Sequence, residues 1–309
     1  MAQPYTRYAG RLELAAGTAT GLCQLAPGRK ARPPLETACH TAAIQTPYKQ
    51  RMNELVTIVI PCYMQAQYLQ EAIDSVRAQT YPHWECIVVN DASPDHTAAV
   101  ADAAATTDSR IRVIHKPHNE GLAAARNTGI SHANGMFILP LDADDLIHPE
   151  YLQKSLAVFY NNSAVKVVYT DVWTFGDQSR EVCRPEINMN ELCHHNLFQP
   201  TALFKKSDFQ KTDGYRKNVY GYEDWDMWLQ LIEKPAHAHR IKEHLFGVRV
   251  KQQSMIIELV SDAEKERTVR RNVMHNNLAR VRQWAPELLS QQHSSFFFKI
   301  LKRIKSVIR

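Results

Sequence analysis

Two clusters of acids stand at the ends of apolar runs in this sequence. Trp84–Val89 is followed by Asn90-Asp91, and Gly135–Leu141 by Asp142-Ala143-Asp144-Asp145. Carboxylates this dense repel one another unless a cation neutralises them, and an all-oxygen donor set suits a hard ion, Mg²⁺ or Mn²⁺. Such an ion takes a few carboxylates and completes its shell with substrate phosphates. The chemistry that follows is the gripping of a nucleotide diphosphate. An acidic turn capping the next helix is the alternative, since Asp and Asn suit turns and caps by themselves. Spacing alone leaves both readings open. A second acidic pair, Glu223-Asp224, opens a helical pattern. Neighbours on a helix point about 100° apart, so only one of the two can readily face a bound substrate.

The elements that must position these groups read as strands alternating with helices. Leu55–Ile60 is a nearly continuous β-branched run, as expected of a strand covered on both faces, and Pro61 is expected to end it. A helix over Gln67–Ala78, the strand Trp84–Val89, a helix announced by Ser93-Pro94-Asp95, the strand Ile111–Ile114, the helix Leu122–Ile130 and the strand Gly135–Leu141 follow. That alternation implies a parallel sheet with helices on its faces. In such sheets ligands bind beyond the carboxyl ends of the strands, where both acid clusters fall. Later elements are a helix near Pro149–Tyr160, a strand Lys166–Tyr169, a loop-rich stretch to Asn196, a helix Asp224–Ile232, a strand Leu245–Val250 and polar helices over 262–285.

Six segments in this order resemble glycosyltransferase family 2, which has the GT-A fold. They are Val56–Tyr63, Ser75–Tyr81, Val88-Val89-Asn90-Asp91-Ala92-Ser93, Asn119–Asn127, Leu141-Asp142-Ala143-Asp144-Asp145 as the D-x-D motif, and Gly221–Trp228. The resemblance implies an inverting, non-processive transferase of surface glycans on a Rossmann-like, mostly parallel α/β sheet. Pro61 and Tyr63 would border the donor's base and ribose. Asp91 would hydrogen-bond the base, Asp142 would lie near the ribose, and Asp144 would bind the metal. Arg126 would add positive charge near the phosphates, or else be a surface helix arginine. Asp224 is the implied general base, with Glu223 beside it on the acceptor side. Trp225 and Trp228 would wall the acceptor or pack in the core. The donor is a nucleotide sugar, with UDP favoured, and the acceptor a hydroxyl of a glycan or lipid-linked glycan. Three departures stand out: Asn90 for an acid, Ala92 for a glycine, and Lys251 or Gln252 near a position that often carries a metal-binding His. His244 and the pair His194-His195 are other candidate ligands, with ordinary histidine roles expected of them.

Composition sets the outer limits. The net charge of +5 hides an acidic body between two basic ends: residues 1–51 carry seven basic and two acidic residues, and residues 296–309 carry five basic and none acidic. An acidic body argues against nucleic acid as a partner. No G-x-G-x-x-G opens a helix, which excludes a dinucleotide oxidoreductase. The segment after the first strand, Pro-Cys-Tyr-Met, lacks the glycine-rich loop of a sugar nucleotidylyltransferase. A non-catalytic, membrane-associated scaffold of the same fold is the remaining alternative. None of the six cysteines forms a C-x-x-C pair, and with no export signal recognised they are expected to be reduced. Residues 1–51 read as a disordered or poorly packed extension, 52–260 as the transferase domain with its donor half ending near 146, and 261–309 as C-terminal helices. On a helix, the tail 296–309 gathers an aromatic and aliphatic face within about 140°, opposite five cations, a pattern suited to an anionic membrane surface. The alternative is a terminal helix docked on the body. The expected location is cytoplasmic, peripheral on the inner face of the cell membrane.

Overall fold

The computed structural model describes residues 53–289. The N-terminal extension and the basic tail 296–309 lie outside the described residues. The first half alternates as the sequence predicts: β1 (Val56–Cys62), α1 (Ala66–Arg77), β2 (Trp84–Asn90), α2 (Thr97–Thr107), β3 (Ile111–His115), α3 (Leu122–Ser131) and β4 (Phe137–Pro140). β1 pairs in parallel with β2 and β4, and β2 with β3. Every residue of β1 and β2 is buried. Side chains along β1 alternate between two cores. Val56, Ile58 and Ile60 pack with α1, α2 and the later helix α4 (Tyr151–Asn161). Val59 faces the opposite layer, which includes α3. This period of two is what a strand sandwiched between helical layers requires.

Pro61 does not end β1; it pairs within it opposite Val89. Val59 offers its carbonyl to Leu141 on the β4 side, and Pro61, two residues on, faces the same way. The ladder with β4 stops at Val59 and Pro140, so no partner strand lacks the N–H that proline cannot donate. The expected helix start at Ser93-Pro94-Asp95 is also shifted. α2 begins at Thr97, and those residues tie two loops together instead. Ser93 Oγ accepts from Met64 N at 3.1 Å, and Asp95 Oδ2 accepts from Ala66 N at 3.3 Å.

The second half adds β5 (Leu146–Ile147), α4, β6 (Val167–Gly176), β7 (Arg180–Val182), α5 (Met189–His194), β8 (Leu203–Lys205), α6 (Lys206–Phe209), α7 (Glu223–Leu231), β9 (Ala238–Val250), α8 (Met255–Ser261), α9 (Ala263–Asn276) and α10 (Leu278–Trp284). The strand order is β3-β2-β1-β4-β8-β6-β9-β5, with β7 on β6. β8 runs antiparallel to β4 and β6, whereas the long pair β6–β9 is parallel, so the sheet is mixed but mostly parallel. β6 and β9 are both longer than the apolar runs that announced them. Apart from the buried Val172, their extra residues are polar, glycine or only partly buried and carry no clean hydrophobic signal. Helices α8 to α10 pack into the core that holds α7, through Leu259, Val269, Val273 and Ala285. Cys62, Cys86, Cys183 and Cys193 are free thiols. No helix among the described residues is long and apolar enough to cross a membrane.

Candidate active site

The carboxyl ends of β1, β2 and β4 open into one group of loops. The β1–α1 loop holds Tyr63, 44% exposed, and Met64 with φ +55°. Ala92, after β2, also has positive φ, +56°. Left-handed backbone costs a residue with a Cβ about 1–2 kcal/mol, and such strain gathers where function holds it in place. Here the Met64–Ser93 hydrogen bond joins the two strained loops.

Asp91 is buried. Its Oδ1 accepts from Lys116 Nζ at 2.7 Å, and its two oxygens take the amides of Glu120 and Gly121. Gly121 caps α3, so Asp91 anchors the start of the helix that carries Arg126, where a carboxylate complements the helix dipole. Any contact of Asp91 with a donor base shares its oxygens with these donors. Burial alone would lower the Lys116 pKa, but its bonds to Asp91 and Glu120 outweigh that and raise it. Lys116 follows β3 directly, and the strand-end rule that picks out Asp91 applies equally to it. Asn90 spends its amide on His115 Nδ1 at 3.1 Å and its oxygen on Ser93 N at 3.0 Å.

Asp142 to Asp145 form a turn closed by Asp145 N donating to the Asp142 carbonyl at 3.0 Å. The short strand β5 follows, so the turn caps no helix. Asp142 and Asp144 are half-exposed, while Ala143 and Asp145 are buried. Burial, with the neighbouring charges of Asp144 and Asp142, pushes the Asp145 pKa well up despite a hydrogen bond from Arg249 N. The crowding of three carboxyl groups in one turn therefore favours the neutral form of Asp145. Lys251 Nζ stands 2.5 Å from Asp144 Oδ2, beside the Tyr68 ring. An ammonium already sits against Asp144, and the half-exposed, oxygen-only pair Asp142 and Asp144 fits a hard divalent ion. The segment that lacks the expected histidine therefore brings a cation rather than a ligand.

Arg126 is not a surface arginine: it is 2% exposed. It donates to Asp142 Oδ1 at 2.6 Å and lies over the Tyr215 ring at 5.3 Å. Burial alone would lower its pKa, but Asp142, Tyr215, Glu223 and Asp224 together raise it, and it stays a fixed cation. α7 begins at Glu223, behind Gly221 with φ +81°. Burial raises Glu223 to about 7 and Asp224 to about 6, with Arg126 opposing both shifts. Asp224 Oδ2 accepts from Asn196 Nδ2 at 2.7 Å and Oδ1 from Trp225 N at 2.9 Å. Asn196 closes the loop-rich stretch, where no sequence pattern marks it. Both acids of the pair feel the charge of Arg126. Asp142, Arg126, Glu223 and Asp224 thus form one charged group, and the charges of Asp142 and Asp144 both reach Asp145.

Trp225 and Trp228 are fully buried, and Trp225 Nε1 donates to the Leu192 carbonyl at 2.6 Å. The core-packing reading, not an acceptor wall, matches that burial. His194 pairs with Glu287 at 2.9 Å, and burial lowers the His195 pKa. His244 lies beyond this group, on β9.

A family model described as Glycosyl transferase family 2 matches residues 57–215. The putative glycosyltransferase EpsE of Bacillus subtilis (strain 168) is 31% identical over 206 residues, covering 63% of this chain and 72% of that protein. The chondroitin synthase of Pasteurella multocida (strain Pm70) is 30% identical over 189 residues, 60% of this chain but 20% of the synthase. The hyaluronan synthase of Pasteurella multocida matches over the same length, and this chain covers 19% of it. Among solved structures, S. aureus TarS 1–349 in complex with UDP-GlcNAc superposes with a TM-score of 0.57 at 16% identity, covering 74% of this chain and 73% of TarS. The mannosyltransferase PcManGT from Pyrobaculum calidifontis, in complex with GDP-Man and Mn²⁺, gives 0.54 at 18% identity, covering 82% and 79%. At these identities the structural likeness bears on the fold, which is GT-A.

Proposed function

The chain belongs to glycosyltransferase family 2 and is a glycosyltransferase, and from that premise we propose that it transfers a sugar, with inversion, from a UDP-sugar to a hydroxyl of a glycan or lipid-linked glycan. The observation that carries this reading is Arg126, buried between the D-x-D aspartate Asp142 and the Asp224 pair. Pro61 and Tyr63 border the base and ribose, and Asp91 offers an oxygen to an imide N–H. Asp142 turns toward the ribose. Asp144 would hold Mg²⁺ or Mn²⁺, and the bound ion would supply positive charge beside the leaving diphosphate. PcManGT in its complex with Mn²⁺ is consistent with such an ion. Lys251, released from Asp144, pairs with phosphate oxygens.

Asp224 takes the acceptor proton. Its raised pKa puts it close to the working range of a general base, and Asn196 and Trp225 N hold its oxygens in place. Glu223 lies on the acceptor side. Residues 52–260 carry the donor and acceptor halves. The tail 296–309 holds the enzyme to the inner face of an anionic membrane, where a lipid-linked acceptor resides; its removal is expected to abolish liposome binding.

The test of the reaction is direct. Purified protein with Mn²⁺ is incubated with a panel of UDP-sugars, and release of UDP is followed. Turnover lost in both Asp144→Ala and Asp224→Ala supports the assignment. Turnover unchanged in either variant removes that residue from the chemistry. A thermal-shift screen of nucleotide sugars, with and without Mn²⁺, identifies the donor, because a ligand of the native state raises the melting temperature.

A further inference from the structure

A second cluster of ligating side chains lies where β6 meets β9. These strands run parallel, but their register breaks on both sides of Asp171: Thr170 faces Ile241, Asp171 faces His244, and Val172 faces Phe246. Such irregularities re-aim side chains that a regular ladder would separate. β7, on the same strand β6, delivers Cys183 immediately after Val182. One ligand atom each from Asp171, Cys183 and His244 lies within 4.8 Å of the others.

Each group is prepared as a donor. His244 Nε2 is buried without a hydrogen-bond partner, while Nδ1 faces Glu181 Oε2 at 3.8 Å. At that distance Glu181 adds negative charge beside the ring without a hydrogen bond, and Nε2 remains the unpartnered donor atom of the imidazole. Asp171 is held by Arg240, whose Nε and Nη2 donate to its two oxygens at 2.7 Å, and by Arg184 N at 2.8 Å on Oδ1. Oδ2 accepts only one of these bonds and keeps a lone pair. Burial alone would raise the Asp171 pKa, but the bonds from Arg240 and Arg184 outweigh it and keep the carboxylate ionised. Of the cations near the cluster, Arg240 and Lys242 are paired with Glu186, while the half-buried Arg184 has only the charge of Asp171 itself to counter it. Glu186 lies 3.7 Å from Arg240 and 3.1 Å from Lys242, and Glu181 stands beside His244. The Cys183 thiol is exposed, so an ion can enter from solvent.

We propose that Asp171, Cys183 and His244 form a second metal site, taking a borderline divalent ion of the zinc class with its fourth position open. One oxygen, one nitrogen and one sulfur donor suit such an ion, whereas the oxygen-only Asp142–Asp144 group suits a hard one. Binding replaces the Cys183 S–H proton with the metal and releases that proton to solvent; no electrons move. The ion clips the segment after β7 to the β6–β9 pair. This site is independent of the transfer reaction proposed above.

The test uses the untagged full chain and Co²⁺ as a spectroscopic stand-in for Zn²⁺. Titration is expected to produce a thiolate-to-cobalt charge-transfer band in the near ultraviolet, which added Zn²⁺ erases. Cys183→Ser abolishes the band, and His244→Gln weakens the affinity about tenfold or more. Both variants alter groups that are not fully buried, and metal-free melting curves verify that they fold. Asp171 is left intact because it anchors Arg240. A wild-type chain without the band, or a band that persists in Cys183→Ser, overturns the proposal.

Discussion

At the scale of single residues, the site depends on how buried charges are balanced. Asp224 has a folded pKa of about 6 against an ordinary 3.8. Between those values the folded state holds more protons than the unfolded one. Stability therefore falls as pH rises through that window, and the cost is complete above about pH 6. Catalysis by Asp224 needs the opposite, ionised form, so kcat/KM is expected to rise through pH 6 and level off above it. Asp224→Asn should lower transfer by about 10²–10⁴-fold, the usual worth of a general base. At pH 8 the same variant should melt no lower than wild type, because it removes a buried charge and the unpartnered Asn196 Oδ1 can accept from the new amide. A variant that melts well below wild type would mean that the carboxylate is structural. Lys251 offers a second test. Its pair with Asp144 is partly exposed, a setting in which ion pairs contribute roughly 0.2–1 kcal/mol. Lys251→Met should therefore tighten Mn²⁺ binding by up to about fivefold in the absence of donor, by calorimetric titration. Weaker Mn²⁺ binding in the variant would count against the competition of lysine and metal for Asp144.

At the scale of elements, the approach of α3 to β1 sets where Arg126 sits. Gly129 makes that approach possible: a Cβ there would lie 2.3 Å from Val59 Cγ1. Val59 is fully buried in the central strand and β-branched, so it has few rotamers with which to yield. Gly129→Ala is expected to cost about 1–3 kcal/mol by overpacking, measured by denaturant unfolding, and to lower activity by moving Arg126 relative to Asp142. β1, β2 and β4 were legible in the sequence because both their faces are covered and their apolar runs are unbroken, whereas the edge strand β3 showed through a shorter run and the start of α2 was displaced. The acids at the ends of β2 and β4 were legible for the same reason, since strand ends locate them. What was not legible depends on long-range contacts. Pro61 continues β1 because β4 has already stopped pairing there. Arg126 is buried because α7 brings Glu223 and Asp224 to it across nearly a hundred residues of chain. Asn196 reaches Asp224 from a loop with no local pattern, Lys251 was marked only as a departure from a histidine and not as a partner of Asp144, and the irregular β6–β9 pairing that brings Asp171 to His244 has no hydrophobic signature.

At the scale of the whole molecule, the helices after residue 260 decide whether the site stands at all. Tyr222, immediately before α7, donates its hydroxyl to Glu266 Oε1 at 2.8 Å, and Arg270 Nε donates to the same oxygen at 2.9 Å. Asn277 Nδ2 reaches Asp226 in α7 at 2.7 Å. Val273, Val281 and Ala285 are fully buried. Ending the chain at 260 would strip these partners from α7, expose its apolar flank and leave the buried Asp226 with Arg216, Gln230 and no asparagine. Removing one partner of a buried charged network commonly costs about 3–5 kcal/mol, a large part of the stability of an ordinary domain. A chain ending at 260 should therefore lose its cooperative melt, and with it donor binding. A chain ending at 295 keeps all of these contacts. It should melt as the full chain does and retain turnover on soluble acceptors, losing only its affinity for anionic liposomes. If the longer truncation melts normally, α9 and α10 are an appendage rather than a buttress, and the geometry of Asp224 must be set by α7 and Asn196 alone.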